Sequence, residues 1–251
     1  MGTGASQGGG GAHFDQFARD YQSILTEQLK GSGLDADFFA AQKARIIAEE
    51  SAPAGSGPYR LLDVGCGNGL LDSLILGEWA RRGTPPADGR MELEGIDVSE
   101  KSVEESAARG LPAARFRTFD GAELPFADGT FDAVVFCVVM HHVPPAARGG
   151  LLGECARAMK PGGRLFVFEH NPINPLTRYV VGRCPFDADA ALLRSGEARR
   201  LLERAGLRVE KRAFINFFPN RAGFRWLRRL EPKLEGLPLG AQYYVRAARP
   251  A

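Results

Sequence analysis

Apolar residues along the chain fall into short continuous runs that alternate with stripes of helical spacing. Leu61–Val64, Met91–Asp97, residues 113–118, Phe131–Met140, Arg164–Phe168, Leu207–Ile215 and Ala241–Ala248 read as strands. The fourth is nearly all apolar, as a central parallel strand buried on both faces must be. Between these runs, Leu70, Leu71, Leu74 and Ile75 share one helical face, as do Leu151, Leu152, Cys155 and Met159, and then Leu201, Leu202 and Ala205 before the stop at Gly206. Strand and helix in alternation predict an α/β fold with a mostly parallel sheet, and the last two runs predict an antiparallel pair at its edge.

Two helices precede the first strand. Phe14, Phe17, Tyr21, Ile24, Leu25 and Leu29 predict one over His13–Lys30, and Phe38, Phe39, Ile46 and Ile47 predict another from about Asp37 to Glu50. Residues 1–12 are too rich in glycine to bury apolar surface and are expected to be a disordered tail. The remainder, 13–251, is expected to be a single domain.

Composition narrows the field. A formal net charge of +2 makes a nucleic-acid partner unlikely, and no apolar run reaches the roughly 18–20 residues of a membrane span. The four cysteines, at 66, 137, 155 and 184, form no C-x-x-C pair, so reduced thiols and a cytoplasmic location are expected.

The candidate chemistry begins at Leu61-Leu62-Asp63-Val64-Gly65-Cys66-Gly67-Asn68-Gly69-Leu70, a buried strand running into a glycine turn and then a helix N-terminus. Glycine lets a ligand approach the backbone closely, and the free N–H groups of the helix face the same place. A dinucleotide fingerprint would need glycine at 70, where leucine stands, and no Gly-Lys-Ser or Gly-Lys-Thr follows. Asp97 closes the second strand, where an acid can accept from both hydroxyls of a ribose. Ser99 and Glu100 then open a helix.

The spaced motif Asp63-x-Gly65-x-Gly67-x-Gly69 resembles the first motif of class I S-adenosylmethionine (SAM) dependent methyltransferases. Downstream, Phe119-Asp120-Gly121 resembles the family's acidic loop, and Lys160-Pro161-Gly162-Gly163 before an apolar strand resembles its late turn. The resemblance implies a Rossmann-like doubly wound sheet of seven strands, antiparallel only at the last, with SAM as cofactor and a small-molecule acceptor. It implies contacts to SAM from Asp63, Gly65, Cys66, Gly67, Gly69, Asp97, Val98 and Cys137. Asp120 would accept from the adenine amino group and the Gly121 N–H would donate to a ring nitrogen. The N-terminal helices, 13–50, would form a lid, with Tyr21 touching the ligand.

SAM carries its own electrophile, so the protein must align an acceptor and exclude water, adding a base only where a proton has to leave. For a hydroxyl acceptor the candidates are His141, His142 and His170, at the ends of the fourth and fifth strands. Alternation along a strand predicts that His141 and His142 do not both enter the pocket, which ranks His142 and His170 ahead of His141. The long loop 170–194 is expected to shape the acceptor pocket. Arg221, Arg225, Arg228 and Arg229 recur at helical spacing, either as a solvated basic face or as a grip on an acidic or phosphate-bearing acceptor. No compact metal-ligand set is visible, so no metal is expected. The alternatives are a nicotinamide-dependent oxidoreductase on the same fold and a non-catalytic domain that binds SAM or a partner.

Overall fold

A computed structural model describes residues 9–18, 23–24, 27, 36–51, 57–82, 90–224 and 226–251. The seven expected strands form one sheet in the order β3-β2-β1-β4-β5-β7-β6. They are β1 (Tyr59–Val64), β2 (Met91–Asp97), β3 (Ala114–Thr118), β4 (Phe131–Cys137), β5 (Met159–His170), β6 (Arg208–Ile215) and β7 (Gln242–Ala248). Strands β1 to β5 pair in parallel, and β7 runs antiparallel to both β5 and β6.

The helices are α1 (Gly9–Asp15), α2 (Ala36–Glu50), α3 (Leu70–Arg82), α4 (Glu100–Ala108), α5 (Arg148–Ala158), α6 (Pro175–Val181), α7 (Ser195–Arg204) and α8 (Glu231–Leu234). The apolar runs of the central strands are buried on both faces, so the sheet divides two cores. Val134, Phe136, Leu165 and Val167 point into one, with α5 and α7; Leu61, Ala133, Val135 and Phe166 point into the other, with α2 and α3. Ser99 caps α4 as expected, its hydroxyl accepting from the Ser102 N–H at 3.1 Å.

Five expectations need correcting. The loop expected over 170–194 carries α6, started by the Asn174 cap and Pro175, and a 3-10 turn, Pro185–Asp187. The tail expected over 1–12 is helical from Gly9, because α1 docks on the sheet end: Gly11 lies so close that a Cβ would stand 2.3 Å from the Val98 carbonyl oxygen, and Asp15 accepts from the Ser99 hydroxyl at 2.6 Å. The helix expected over 13–30 is broken by a turn at 16–18, and Tyr21 lies outside the described residues. Strand β4 stops at Cys137, short of Met140, because Val138 adopts a φ of 62° and turns the chain out of the sheet. Arg221, Arg228 and Arg229 of the arginine run form no single helical face, and Arg225 lies outside the described residues. Two 3-10 turns, Ala222–Phe224 and Leu227–Leu230, and the short α8 replace such a face, and Arg228 stacks on Phe38 at 4.0 Å.

Candidate active site

The glycine turn opens into a pocket at the carboxyl ends of β1, β4 and β5, where open α/β sheets bind ligands. Its wall includes Asp63 at the end of β1, Gly65, Cys66 and Gly67 from the turn, Cys137 at the end of β4 and Val138 just beyond it, and His141, His142 and His170. Gly67 has a φ of +54° and nothing within 4 Å of where a Cβ would stand, so the backbone there is bare toward the pocket. The Asp97 carboxylate braces the turn, accepting from the Gly67 N–H and the Ser99 N–H, each at 2.9 Å. Burial raises the Asp97 carboxyl, and those backbone donors oppose the rise.

Asp97, Val98, Gly69, Asp120 and Gly121 do not line this pocket, and Gly11 of α1 packs against Val98. Asp120 Oδ1 accepts from the Ala122 and Glu123 N–H groups at 2.8 and 2.9 Å, which holds its carboxyl below the usual range. Asp63 and Asp72 are both fully enclosed, and burial, then their mutual repulsion, raises Asp63 well above the usual range. Burial also raises Asp72, to about 7. Burial pushes the Cys66 thiol up and the Cys137 thiol to about 11. Both are uncharged near neutrality.

The expectation that His141 and His142 diverge is wrong. The chain has already left the strand at Val138, so strand alternation does not govern residues 138–143, and both rings enter the pocket with centroids 4.0 Å apart. The His141 Nδ1 lies 2.7 Å from Glu169 Oε2, and its Nε2 lies 3.3 Å from Asp187 Oδ1. The His142 Nε2 lies 3.3 Å from the same Asp187 oxygen. Burial alone would lower His141, but the two carboxylates outweigh it and raise it to about 9. Burial and then the charge on His141 lower His170 to about 4.

Asp187 was not legible as a site residue. It belongs to a 3-10 turn, Pro185–Asp187, inside the segment expected to shape the acceptor pocket, and only the fold carries it to the histidines. Lys43 of α2 also lines the pocket unannounced, its ammonium against the Cys137 thiol. Phe14 of α1 roofs the site, its ring 5.0 Å from that of His142.

The structure also brings together a set that sequence spacing hid: ligand atoms of His141, His142 and Asp187 lie within 4.8 Å of one another. That corrects the expectation that no compact set of metal-ligating types exists. Imidazole protons suffice to satisfy the two 3.3 Å contacts as hydrogen bonds.

A nucleotide-type cleft with a bare glycine turn, a braced acid at the second strand and a histidine–carboxylate cluster at the neighbouring strand ends describes a group-transfer enzyme. Residues 62–167 match the family model "Methyltransferase domain". The chain is 29% identical over 258 residues to the 27-O-demethylrifamycin SV methyltransferase of Amycolatopsis mediterranei, covering 95% of this chain and 86% of that protein. It is 31% identical over 182 residues to the ubiquinone biosynthesis O-methyltransferase of Xylella fastidiosa, covering 65% of this chain and 67% of that protein. A solved SAM-dependent methyltransferase of Thermotoga maritima, described as a possible histamine N-methyltransferase, superposes with a TM-score of 0.63 at 17% identity, over 96% of this chain and 99% of that one.

The chain therefore belongs to the class I SAM-dependent methyltransferases. Its cofactor is SAM, which sets aside the nicotinamide alternative, and its membership among methyltransferases supports catalysis over the non-catalytic alternative. The bare Gly67 backbone and the Asp97 brace beside it fit such a ligand. No helix among the described residues is long and apolar enough to cross a membrane.

Proposed function

We propose that the enzyme O-methylates a hydroxyl of a small molecule, with His142, oriented by Asp187, receiving the departing proton. The observation that carries this reading is the 3.3 Å contact between the His142 Nε2 and Asp187 Oδ1 at the pocket wall. A carboxylate on one ring nitrogen fixes the tautomer and leaves the other nitrogen to accept, as in any base held by a third group. His141 is unsuited because its raised proton affinity keeps it charged near neutrality. His170, at about 4, is a weak base.

SAM, when bound, supplies a methyl group already activated by the sulfonium. The chain's own work is alignment and exclusion of water. We assign Asp63, Gly65, Cys66, Gly67 and Cys137 to the methionine side, and Gly69, Asp97, Val98, Asp120 and Gly121 to the adenosine side, with Asp97 accepting from the ribose. Residues 13–50 serve as the lid and 170–194 as the acceptor wall of one domain; the contacts of Phe14 with His142 and of Asp187 with both histidines support those roles. Transfer needs no metal in this reading. Four unpaired cysteines fit a reducing cytoplasm.

The relatives named above support an alcohol or phenol acceptor, since one is an O-methyltransferase and another a methyltransferase of 27-O-demethylrifamycin SV. The test incubates the enzyme with SAM carrying a 13C-labelled methyl and a panel of phenols, alcohols and cell-extract metabolites. The carbon shift of the transferred methyl separates O-methyl from N- and C-methyl products. An O-methyl product is expected, and label found only on carbon or nitrogen overturns the reading.

A further inference from the structure

Every large apolar side chain that stands exposed among the described residues belongs to one of two segments. Ile173, Leu176 and Tyr179 come from the α6 region; Phe224, Trp226, Leu230, Leu237 and Leu239 come from the stretch between β6 and β7. Tyr179 is 61% exposed, Trp226 64% and Leu239 63%. A soluble surface usually scatters such residues singly, and concentration marks a place where something docks. The two segments are stitched together where they meet. The Asn171 amide donates to the Pro238 and Gly240 carbonyls at 3.1 and 2.8 Å, and the Asn174 amide donates to the Leu239 carbonyl at 2.7 Å. The Thr177 hydroxyl donates to the Ala241 carbonyl at 2.8 Å.

The charge on these segments is one-sided. Across 172–183 and 217–239, the described residues set five exposed cations, Arg178, Arg183, Arg221, Arg229 and Lys233, against one acid with a substantially exposed side chain, Glu235. The two glutamates present are partly buried and engaged: Glu231 accepts from the Gln42 amide, and Glu235 pairs with Lys211. The whole chain carries only +2, so this is a local concentration.

We propose that this surface docks on an anionic lipid bilayer. Leucine, isoleucine, tryptophan and tyrosine set among arginine and lysine, with both glutamates of the segments already engaged, match an interface where apolar groups enter the headgroup boundary and cations meet lipid phosphates. A second copy of this chain fits less well, because a twofold contact through the same patch sets these cations against their own copies. Helix α6 gives the docking a use. Its Thr177, Val180 and Val181 line the active-site pocket while Leu176 and Tyr179 face outward, so one helix separates the pocket from the bilayer and a lipophilic acceptor can enter at that edge. The delivery of acceptor rests on the methyltransferase reading. The docking does not, and it is measured without turnover.

The experiment is flotation of the full-length chain with vesicles of phosphatidylcholine alone and of phosphatidylcholine with about one quarter phosphatidylglycerol, at low and high salt. In parallel, Trp226 emission is followed in a Trp79→Phe background, which leaves it as the sole tryptophan. Binding to the anionic vesicles is expected, weakened by salt and accompanied by a blue shift. Arg178→Gln with Arg183→Gln should weaken it about fivefold per cation removed, the factor equivalent to ~1 kcal/mol per basic residue at an anionic surface. Trp226→Ser with Leu239→Ser should weaken it roughly tenfold or more, with SAM affinity unchanged in both variants as the check on folding. Absence of binding to either vesicle, or binding undiminished in both variants, overturns the proposal. So does a dimer in sedimentation equilibrium that Trp226→Ser with Leu239→Ser converts to monomer.

Discussion

Replacing Glu169 by glutamine tests whether His141 carries a charge in the folded enzyme. Glutamine retains an acceptor oxygen 2.7 Å from Nδ1 while deleting the charge. The rise of His141 from 6.5 to about 9 corresponds to roughly 3 kcal/mol of pH-linked stability. Glu169 and Asp187 both contribute to that rise, so removing one carboxylate should cost roughly 1.5–3 kcal/mol, the range for a hydrogen bond to a charged group. The folded-state value lies above the unfolded one. The stabilisation is therefore complete below about 6.5 and is lost as pH climbs through about 9. Urea unfolding followed by circular dichroism, at several pH values from about 6 to 10, should show the wild type ahead of Glu169→Gln at the acid end and the gap closing at the alkaline end. Taking the difference between the two proteins cancels titrations elsewhere, including that of the buried Asp63 and Asp72. A gap of equal size across the range would refute a charged His141 and reduce the cluster to neutral hydrogen bonds.

Three further outcomes are expected. His142→Ala should cut turnover by about 10²–10⁴-fold with SAM affinity little changed, while His170→Ala keeps most of it; comparable losses in the two would remove the distinction between them. Asp97→Ala should weaken SAM binding by roughly 1.5–3 kcal/mol in calorimetry, because the ribose loses its acceptor and the Gly67 N–H loses its brace, and unchanged affinity in a folded variant would take Asp97 out of the site. Dialysis against a chelator should leave activity intact; activity lost and then restored by zinc or manganese would assign His141, His142 and Asp187 to a cation instead of to proton bonds.

Much of the fold was legible because its signals are local. Strand β2 runs Met91–Asp97 as the apolar pattern predicted, and β4 begins at Phe131 as its continuous run required. What misled were places where tertiary contact overrides composition. Glycines 9–11 would not order themselves, yet they form part of α1 because the missing side chain at Gly11 lets the helix press on Val98 and Asp15 then ties it to Ser99. Arg221, Arg228 and Arg229 keep a helical spacing that the chain does not follow, and Arg228 turns onto Phe38 and donates to Asn220 at 2.7 Å.

The histidine cluster shows why a site can be found by position and still be misread in its parts. The strand ends were identifiable, so His141, His142 and His170 could be gathered there from sequence. Their differences could not, because each depends on a partner brought from elsewhere in the chain or on a backbone turn with no sequence signature: valine gives no warning of the φ of 62° at Val138. Once that turn places both rings in the pocket, orientation no longer discriminates between His141 and His142. Electrostatics does. His141 is fully enclosed between Glu169 and Asp187, whereas the His142 side chain is 18% exposed, borders the pocket and touches Asp187 alone of the two. The first is therefore held charged by its two carboxylates, and the second is the one with access to the pocket. That difference in enclosure, not strand alternation, is the ground on which the proposal places the base at His142.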